Sequence, residues 1–255
     1  LKLELFANCL TGSIPSSFGG LQRVTQLGLF ENSLSGSIPS SLGSLTQLSE
    51  LNLFQNRLTG TIPDSVGSLS NLVVLQLHSN SLNGSIPDFV ANFGGLMVID
   101  LSLNRFTGSV PSVVGTLASL LELILSDNLL VGSLPEELSR LDMLFTLNAH
   151  SNALTGRIPE SFGASLSSMS VLTLRRNKLT GPLAVFNGNE SQSQGLFSYD
   201  LSDNSFSGSL PAAFAPSLAT INVARNPING TIPSAFFSTL TSLYTMNISG
   251  TGIGK

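Results

Sequence analysis

Charged residues are scarce in this chain of 255 residues. Its 11 Lys and Arg and 15 Asp and Glu give a net charge of −4 and make up 10% of the sequence, against about 25% in an ordinary soluble domain. The chain has no run of Lys or Arg that would neutralise a phosphate backbone or an anionic lipid surface. We therefore expect no nucleic-acid partner and no direct docking to an anionic membrane.

Cysteine and histidine are equally rare. The single cysteine, Cys9, cannot form an internal disulfide, and no Cys/His cluster has the spacing of a structural zinc site. We expect no metal and no cofactor. Because hydrophobic residues make up 42% of the chain, stability must come from the packing of an apolar core.

Long apolar runs are also lacking. No stretch approaches 18 consecutive apolar residues, and the N-terminus has no charged segment followed by an apolar one. Neither a membrane span nor a signal peptide is visible. Association with a membrane is therefore expected only through a segment outside this chain.

The sequence does contain a regular internal repeat. The phrase Leu-x-Leu-x-x-Asn recurs, six of the nine intervals between its asparagines are 24 residues long, and a glycine follows each asparagine four residues later. This periodicity predicts a solenoid in which each repeat forms one coil and packs only against its neighbours. The asparagines are Asn8, Asn32, Asn56, Asn80, Asn104, Asn128, Asn152, Asn177, Asn204 and Asn226.

Each repeat has the residues that one coil requires. The Leu-x-Leu run alternates with period two, which predicts a short strand with its leucines inward and the residue between them outward. The asparagine ends the strand, where its side-chain amide can donate to and accept from backbone groups that no strand ladder reaches. Stacked coils should therefore form an internal asparagine ladder from the ten asparagines named above.

The segment LNLFQNRLTGTIPDSVGSL, from Leu51 to Leu69, carries the consensus of the repeat almost unbroken. It resembles the plant-specific class of leucine-rich repeat, and the resemblance covers about residues 3–253. What it implies is an α/β repeat solenoid of about ten repeats, with a parallel sheet on the concave face of a curved, twisted stack and a short extra sheet on its flank.

Members of this family are mostly ectodomains of receptor kinases and receptor-like proteins, or secreted polygalacturonase-inhibiting proteins. The resemblance thus implies a single domain over residues 1–255, on the extracellular side of the plasma membrane or in the cell wall. Family members have cysteine-paired caps, whereas here Leu3 and Leu5 open directly as a repeat, so we expect a fragment without its caps. The repeat of Asn177 is irregular, and an insertion over about residues 184–195 predicts a loop.

Phenylalanine stands two residues before the asparagine in the first three repeats. Because equivalent residues of neighbouring coils lie about 4.8 Å apart in such a sheet, Phe6, Phe30 and Phe54 should stack, and His78 continues the column. An apolar stripe on a solvent-facing sheet is typical of a partner site. The alternative is that phenylalanine recurs only because the repeats duplicate, with adjacent rings sheltering each other.

Charged residues follow a pattern on the same face. The columns six, four, two and one before the asparagine hold 8 acids against 4 bases, which favours a basic partner. A merely solvated face is the alternative interpretation. Besides the aromatic column, the candidate ligand-binding residues on this face are Asp100, Glu122, Asp127, His150, Arg175, Arg176 and Arg225.

The three arginines fall within about two coils and offer charge-assisted hydrogen bonds to a carboxylate. The resemblance adds that peptide-receptor kinases read the C-terminal carboxylate of a peptide with an Arg-x-Arg pair. Here Thr173 occupies the first position of that pair, so only Arg175 matches. Simple pairing of the arginines with Asp200 and Asp203 is the alternative.

Catalytic patterns are absent from the sequence. His78 and His150 would lie about 14 Å apart, three coils along one column, which is too far to share a metal or relay a proton. No Gly-x-Ser-x-Gly elbow is present, so we expect no enzymatic activity.

Four Asn-x-Ser/Thr sequons occur. Asn83, Asn189 and Asn229 fall on predicted flank or loop positions and are the candidate glycosylation sites. The fourth, Asn247, falls on the concave face, where a glycan would close the C-terminal end to partners.

The sequence therefore predicts a non-catalytic recognition module that binds a peptide or protein ligand, or a co-receptor, on its concave face. By resemblance, its setting is the extracellular part of a plant-type receptor kinase or receptor-like protein in signalling. The first alternative is a secreted inhibitor of a cell-wall-degrading enzyme, of the polygalacturonase-inhibiting type. The second is a spacer or co-receptor surface without a ligand of its own.

Overall fold

The predicted solenoid is confirmed in a computed structural model of the chain, which describes residues 1–186, 195–212, 214–234 and 236–254. One parallel sheet of eleven short strands forms the concave face of the described part, and neighbouring strands are 22 to 27 residues apart in sequence. Its strands are Lys2–Glu4, Gln26–Gly28, Glu50–Asn52, Val74–Gln76, Val98–Asp100, Glu122–Ile124, Thr146–Asn148, Val171–Thr173, Ser198–Asp200, Thr220–Asn222 and Thr245–Asn247.

A second set of parallel strands lies on the flank, as the resemblance implies. Its strands pair into three short sheets, but the N–H of Val131 still donates to the carbonyl of Gly108 across the first division, at 2.9 Å. Backbone hydrogen bonding therefore continues between the first and second flank sheets. Its strands are Thr11–Ser13, Ser33–Ser37, Arg57–Gly60, Ser81–Ser85 and Arg105–Thr107, then Val131–Gly132, Ala153–Gly156, Lys178–Gly181 and Ser205–Phe206, then Asn229–Gly230 and Gly252–Ile253.

Short helical turns lie on the convex side of eight coils in the described part of the chain. Most follow the proline of the repeat, whose fixed φ suits the extended residue that precedes the turn. Six are 3₁₀ turns, and two near the C-terminal half are short α-helices. They span Ser16–Gly20, Ser40–Ser44, Asp64–Ser68, Asp88–Asn92, Ser112–Thr116 and Glu136–Arg140, and the two α-helices span Ser161–Ser165 and Phe236–Thr239.

The core runs the length of the stack. In the coil of Asn56, Leu51, Leu53 and Leu58 are at most 1% exposed, which confirms that the alternating leucines point inward. Full burial of such a side chain contributes about 1.5–3 kcal/mol. Glycine in the helical turn allows adjacent coils to approach closely, since a Cβ on Gly43 would collide with the carbonyl oxygen of Ser65 in the next coil.

Buried asparagines join consecutive coils. Nδ2 of Asn104 donates to the carbonyls of Leu101 at 3.2 Å and Ser102 at 3.1 Å in its own coil, and to that of Leu77 at 3.0 Å in the preceding coil. Its Oδ1 accepts from the N–H of Leu82 at 2.9 Å. The same four bonds recur from Asn32 to Asn226, while Asn8 makes the two bonds within its own coil.

The chain turns sharply just before each of these asparagines. The preceding residue has φ between 51° and 57° in all ten coils, although none of the ten is glycine. A non-glycine residue in this left-handed region costs about 1–2 kcal/mol. The asparagine side chain offsets that cost, because it satisfies the carbonyls that the turn directs inward.

The irregular repeat is held by an aromatic cluster. Tyr199 takes the place of a core leucine, and its hydroxyl donates to the carbonyl of Ala184 at 2.9 Å. Its ring also meets Phe186 and Phe214 edge-on, with centroids 6.2 and 5.5 Å away. The predicted insertion at 184–195 lies mostly outside the described residues, which resume at Gly195, and Asn189 lies outside them as well.

We predict that Asn104→Ala lowers the free energy of unfolding by about 1–3 kcal/mol, because the N–H of Leu82 loses its acceptor and three carbonyls each lose one of their donors. Asn71 provides a matched control, since it is exposed and donates one bond, to Thr46, at 2.8 Å. Asn71→Ala should change stability by less than about 0.5 kcal/mol. Urea denaturation of both variants measures the difference, and equal losses would contradict the proposed importance of the buried amide.

Candidate functional site

Four rings stack along the N-terminal half of the concave face. The centroids of Phe6 and Phe30 are 4.4 Å apart and their planes differ by 5°. Phe30 and Phe54 are 4.3 Å apart at 13°, and Phe54 and His78 are 4.3 Å apart at 11°. We call these four residues the aromatic ladder.

The aromatic ladder lies just beyond the end of each strand, where backbone pairing continues. The N–H of Ala7 donates to the carbonyl of Phe30 at 3.0 Å, and that of Glu31 to the carbonyl of Phe54 at 3.1 Å. These bonds keep the rings one coil apart. Phe6 is 43% exposed and Phe30 and Phe54 are half-buried, so the rings shelter one another and present their edges to solvent.

The aromatic ladder ends after His78, because serine occupies the same position of the repeat in the next two coils. His78 places its Nδ1 3.2 Å from Oδ2 of Asp100, although the approach lacks hydrogen-bond geometry. The other oxygen of Asp100 accepts from the N–H of Ser102 at 3.0 Å and from its hydroxyl at 2.6 Å. Ser102 and Ser126 occupy the ladder column in the next two coils and are buried, so the surface is lower there than at the rings.

A second histidine lies beside a carboxylate in the middle of the face. Nδ1 of His150 is 3.6 Å from Oδ2 of Asp127 and 3.1 Å from the hydroxyl of Ser151. Burial lowers the pKa of His150; Asp127 opposes this shift, whereas Arg175 reinforces it. Glu122 lies on the adjacent strand, half-buried on the same face.

The basic end of the face differs from the predicted cluster of three arginines. Arg225 is paired with Asp203, with Nε 2.6 Å from Oδ1 and Nη2 donating to Oδ2 at 3.0 Å. In the described part of the chain, neither Arg175 nor Arg176 lies within 4 Å of a carboxylate. The pairing alternative therefore holds for Arg225, and two arginines keep their donors available.

The candidate residues thus follow one another along one face. The aromatic ladder occupies the first four coils, Asp100, Glu122, Asp127 and His150 the next three, and Arg175 and Arg176 the eighth. Asn83 and Asn229 are exposed on flank strands, and Asn247 is exposed on the concave sheet.

Two surfaces escaped the sequence analysis. One is an apolar column seven positions before the asparagine, immediately ahead of the concave strands, which includes Met97 and Phe145. The other is a pair of hydroxyl columns on the flank, three and five positions after the asparagine. Both could have been found from the sequence by extending the column analysis to these positions.

Several kinds of site do not occur among the residues that the structure describes. No group of three or more His, Cys, Asp or Glu in that part of the chain could hold a metal ion. No helix within the same ranges is long and apolar enough to cross a membrane. Cys9 is a free, exposed thiol.

Comparison with known proteins finds leucine-rich repeats. Residues 23–45, 47–69, 71–93 and 119–141 match the family model described as Leucine Rich Repeat. No curated protein matches the chain.

Similar solved structures include plant receptors. A TDR receptor is 30% identical with a TM-score of 0.83, covering 99% of this chain and 47% of that one. The Arabidopsis receptor kinase HAESA, in complex with the peptide hormone IDA and the co-receptor SERK1, is 33% identical with a TM-score of 0.83, covering 98% and 46%. The chain thus spans about half the length of these receptors.

A third similar structure is a plant ice-binding protein. It is 29% identical with a TM-score of 0.76, and the match covers 88% of this chain and 71% of that one.

We predict that stability falls as the pH decreases through 6.5, the ordinary pKa of histidine, in a way that depends on His150. The pKa of His150 is lower in the folded state, so the unfolded state binds the proton more readily below that pH. Relative to His150→Gln, the wild type should lose stability from about pH 7 to about pH 5. Urea denaturation midpoints of the two proteins across this pH range test the prediction. A wild type that gains stability relative to His150→Gln at low pH would contradict the lowered pKa of His150.

Proposed function

Because the chain belongs to the plant-type leucine-rich-repeat family, we propose that it is a non-catalytic recognition module whose concave face binds a peptide or protein partner. The observation that carries this proposal is the aromatic ladder, which is in register over four coils on a face open to solvent. We further propose that the chain acts on the extracellular side of the plasma membrane or in the cell wall, as part of a receptor, and carries glycans at Asn83, Asn189 and Asn229.

The partially exposed rings supply binding energy. Complete burial of a phenylalanine side chain contributes about 1.5–3 kcal/mol relative to leaving it exposed. Phe6, Phe30 and Phe54 are already partly buried, so a partner that covers the rest of each ring gains only a fraction of this free energy. Phe30 and Phe54 each stack between two neighbouring rings, so these side chains lose little conformational entropy on binding.

The charges give the partner an orientation. Asp100, Glu122 and Asp127 favour basic residues opposite the middle coils, whereas Arg175 and Arg176 favour a carboxylate at the eighth coil. A linear partner would then lie along the axis, with apolar residues on the aromatic ladder and an acidic group or C-terminus at the arginines. The peptide and co-receptor complex in which HAESA was solved supports a partner of this class.

The test uses a phage-displayed library of random linear peptides selected on the wild-type protein. Peptides that bind the concave face should contain aromatic or aliphatic residues. Their affinity should fall at least about tenfold in the Phe30→Ser, Phe54→Ser double variant, which corresponds to about 1.4 kcal/mol. Phe237→Ser is the control, since Phe237 is 59% exposed and lies on the convex side.

The thermal midpoint distinguishes binding from structure. If the double variant unfolds at a much lower temperature, the rings are structural, and recurrence of phenylalanine by duplication is the better explanation. Selected peptides that bind the double variant as well as the wild type would also contradict the proposal.

Ice binding is a second candidate function, which the flank strands favour. Six successive coils place an exposed hydroxyl five positions after the asparagine, and none of these six hydroxyls bonds to another described residue. A second exposed or half-exposed polar column runs beside it. The hydroxyl array consists of Ser13, Ser37, Thr61, Ser85, Ser109 and Ser133, together with Thr11, Ser35, Thr59 and Thr107 of the second column, in which Asn83 contributes an amide.

The hydroxyl array could order water molecules because its hydroxyls are regularly spaced. Coils about 4.8 Å apart repeat the hydroxyls at a fixed spacing, and the backbone ladder on the flank keeps them in place. The similarity to a plant ice-binding protein, of which the chain covers 71%, supports this candidate.

We predict that unglycosylated protein inhibits ice recrystallisation and that a Thr61→Lys, Ser85→Lys double variant loses at least half of this activity. Two long, charged side chains would displace the water ordered over the array. The Phe30→Ser, Phe54→Ser variant is the control and should keep the activity, because its changes lie on the concave face. Equal activity of all three proteins, or none in the wild type, would exclude ice binding by the flank.

A further inference from the structure

An apolar stripe lies at the edge of the concave sheet where the strands begin, away from the aromatic ladder. Val73, Met97, Leu121 and Phe145 occupy the position seven residues before the asparagine in four consecutive coils. Met97 and Phe145 are each 41% exposed, and Met143 beside them is 50% exposed. We call these five residues the apolar rim.

The fold does not require apolar residues at this position. Thr25, Ser49 and Ser170 occupy the same position in other coils, and the hydroxyl of Ser49 donates to the carbonyl of Thr25 at 2.9 Å. The backbone of the column makes the same bonds in either case. In the rim, the N–H of Leu121 donates to the carbonyl of Met97 at 2.8 Å. At the hydroxyl positions, the N–H of Ser49 donates to the carbonyl of Thr25 at 2.7 Å in the same way. The apolar character of the rim therefore needs a reason other than stability.

The rim is rigid and concave enough to receive a side chain. Each rim carbonyl from Val73 to Leu121 accepts two N–H groups from the next coil, which fixes the spacing of the rim residues. Leu121, Glu122, Met143, Phe145 and Ser168 line a depression at its C-terminal end. A contiguous exposed apolar surface of this kind is typical of a protein interface.

Two acidic residues adjoin rim residues in the sequence. Glu122 follows Leu121 directly, and Asp142 precedes Met143. Within the described residues, neither carboxylate forms an ion pair, and Arg140 at the end of the preceding helical turn pairs with neither. Two carboxylates beside an apolar surface favour a partner with Lys or Arg next to its apolar contact residue.

The rim and the aromatic ladder are separate surfaces. Four of the five rim residues lie five positions before the ladder column, which corresponds to about 16 Å across the sheet. The rim also occupies the fourth to seventh coils, whereas the aromatic ladder occupies the first to fourth. A partner on the rim would therefore leave the ladder accessible.

We infer that the apolar rim is a docking surface for a second protein, one that presents an aliphatic or aromatic side chain flanked by Lys or Arg. Phe145 and Met97 form the apolar contact, and Glu122 with Asp142 receives the basic group. Binding at this surface would be independent of a ligand on the aromatic ladder, so the inference does not depend on the function proposed above.

The experiment selects phage-displayed random 16-residue peptides on the wild-type protein and sorts the selected peptides by variant. One class should combine apolar residues with Lys or Arg, bind at least tenfold more weakly to the Met97→Ser, Phe145→Ser variant, and bind the Phe30→Ser, Phe54→Ser variant unchanged. Binding of this class should also weaken severalfold in Glu122→Gln and with added salt. Phe237→Ser serves as the matched control on an exposed phenylalanine elsewhere.

Two results would overturn the inference. In one, no class of selected peptides distinguishes the Met97→Ser, Phe145→Ser variant, although its thermal midpoint equals that of the wild type. In the other, sedimentation shows a concentration-dependent dimer that the same variant abolishes, so that a second copy of the chain covers the rim. If the double variant is unstable, Met143→Ser with Glu122→Gln provides the same comparison at other rim and acidic positions.

Discussion

The buried asparagine amide fixes the position of every functional side chain in this protein. Each amide bonds to three carbonyls and one N–H, and two of these four groups belong to the preceding coil. Neighbouring coils therefore cannot slide past one another without leaving buried polar groups unsatisfied, which is costly in a low-dielectric core. The left-handed residue before each asparagine turns the chain at the same place in every coil.

A fixed register turns sequence periodicity into surface columns. Side chains at equivalent positions lie one above another. Four rings therefore form a stack, four of the five rim residues form one apolar column, and hydroxyls form an array. Because each surface arises from a different position within the repeat, substitution can change one surface without disturbing the core. A single scaffold thus offers a ligand face, a second docking surface and a polar flank.

Much of this could be predicted from the sequence, because the repeat determines the fold locally. The coiled repeat and the inward leucines follow from the spacing of leucine and asparagine, and the stacking of Phe6, Phe30 and Phe54 follows from their common position. The parallel sheet on the concave face follows from the resemblance to plant-specific leucine-rich repeats. The pairing of Arg225 with Asp203 could not be assigned in advance, since either arginine neighbour could reach the carboxylate and side-chain rotamers decide between them. The hydrogen bond from Tyr199 to Ala184 joins residues 15 apart in a part of the sequence that departs from the repeat, so no repeat pattern specifies it.

Amide hydrogen exchange at Leu82 tests the central claim most directly, because its N–H donates to Oδ1 of Asn104. The N–H of Leu58 donates in the same way to Asn80 and serves as an internal reference. In Asn104→Ala, exchange at Leu82 should accelerate at least about tenfold, whereas exchange at Leu58 should change far less. Unchanged protection at Leu82, or equal acceleration at both amides, would contradict the account in which each asparagine holds its own pair of coils in register.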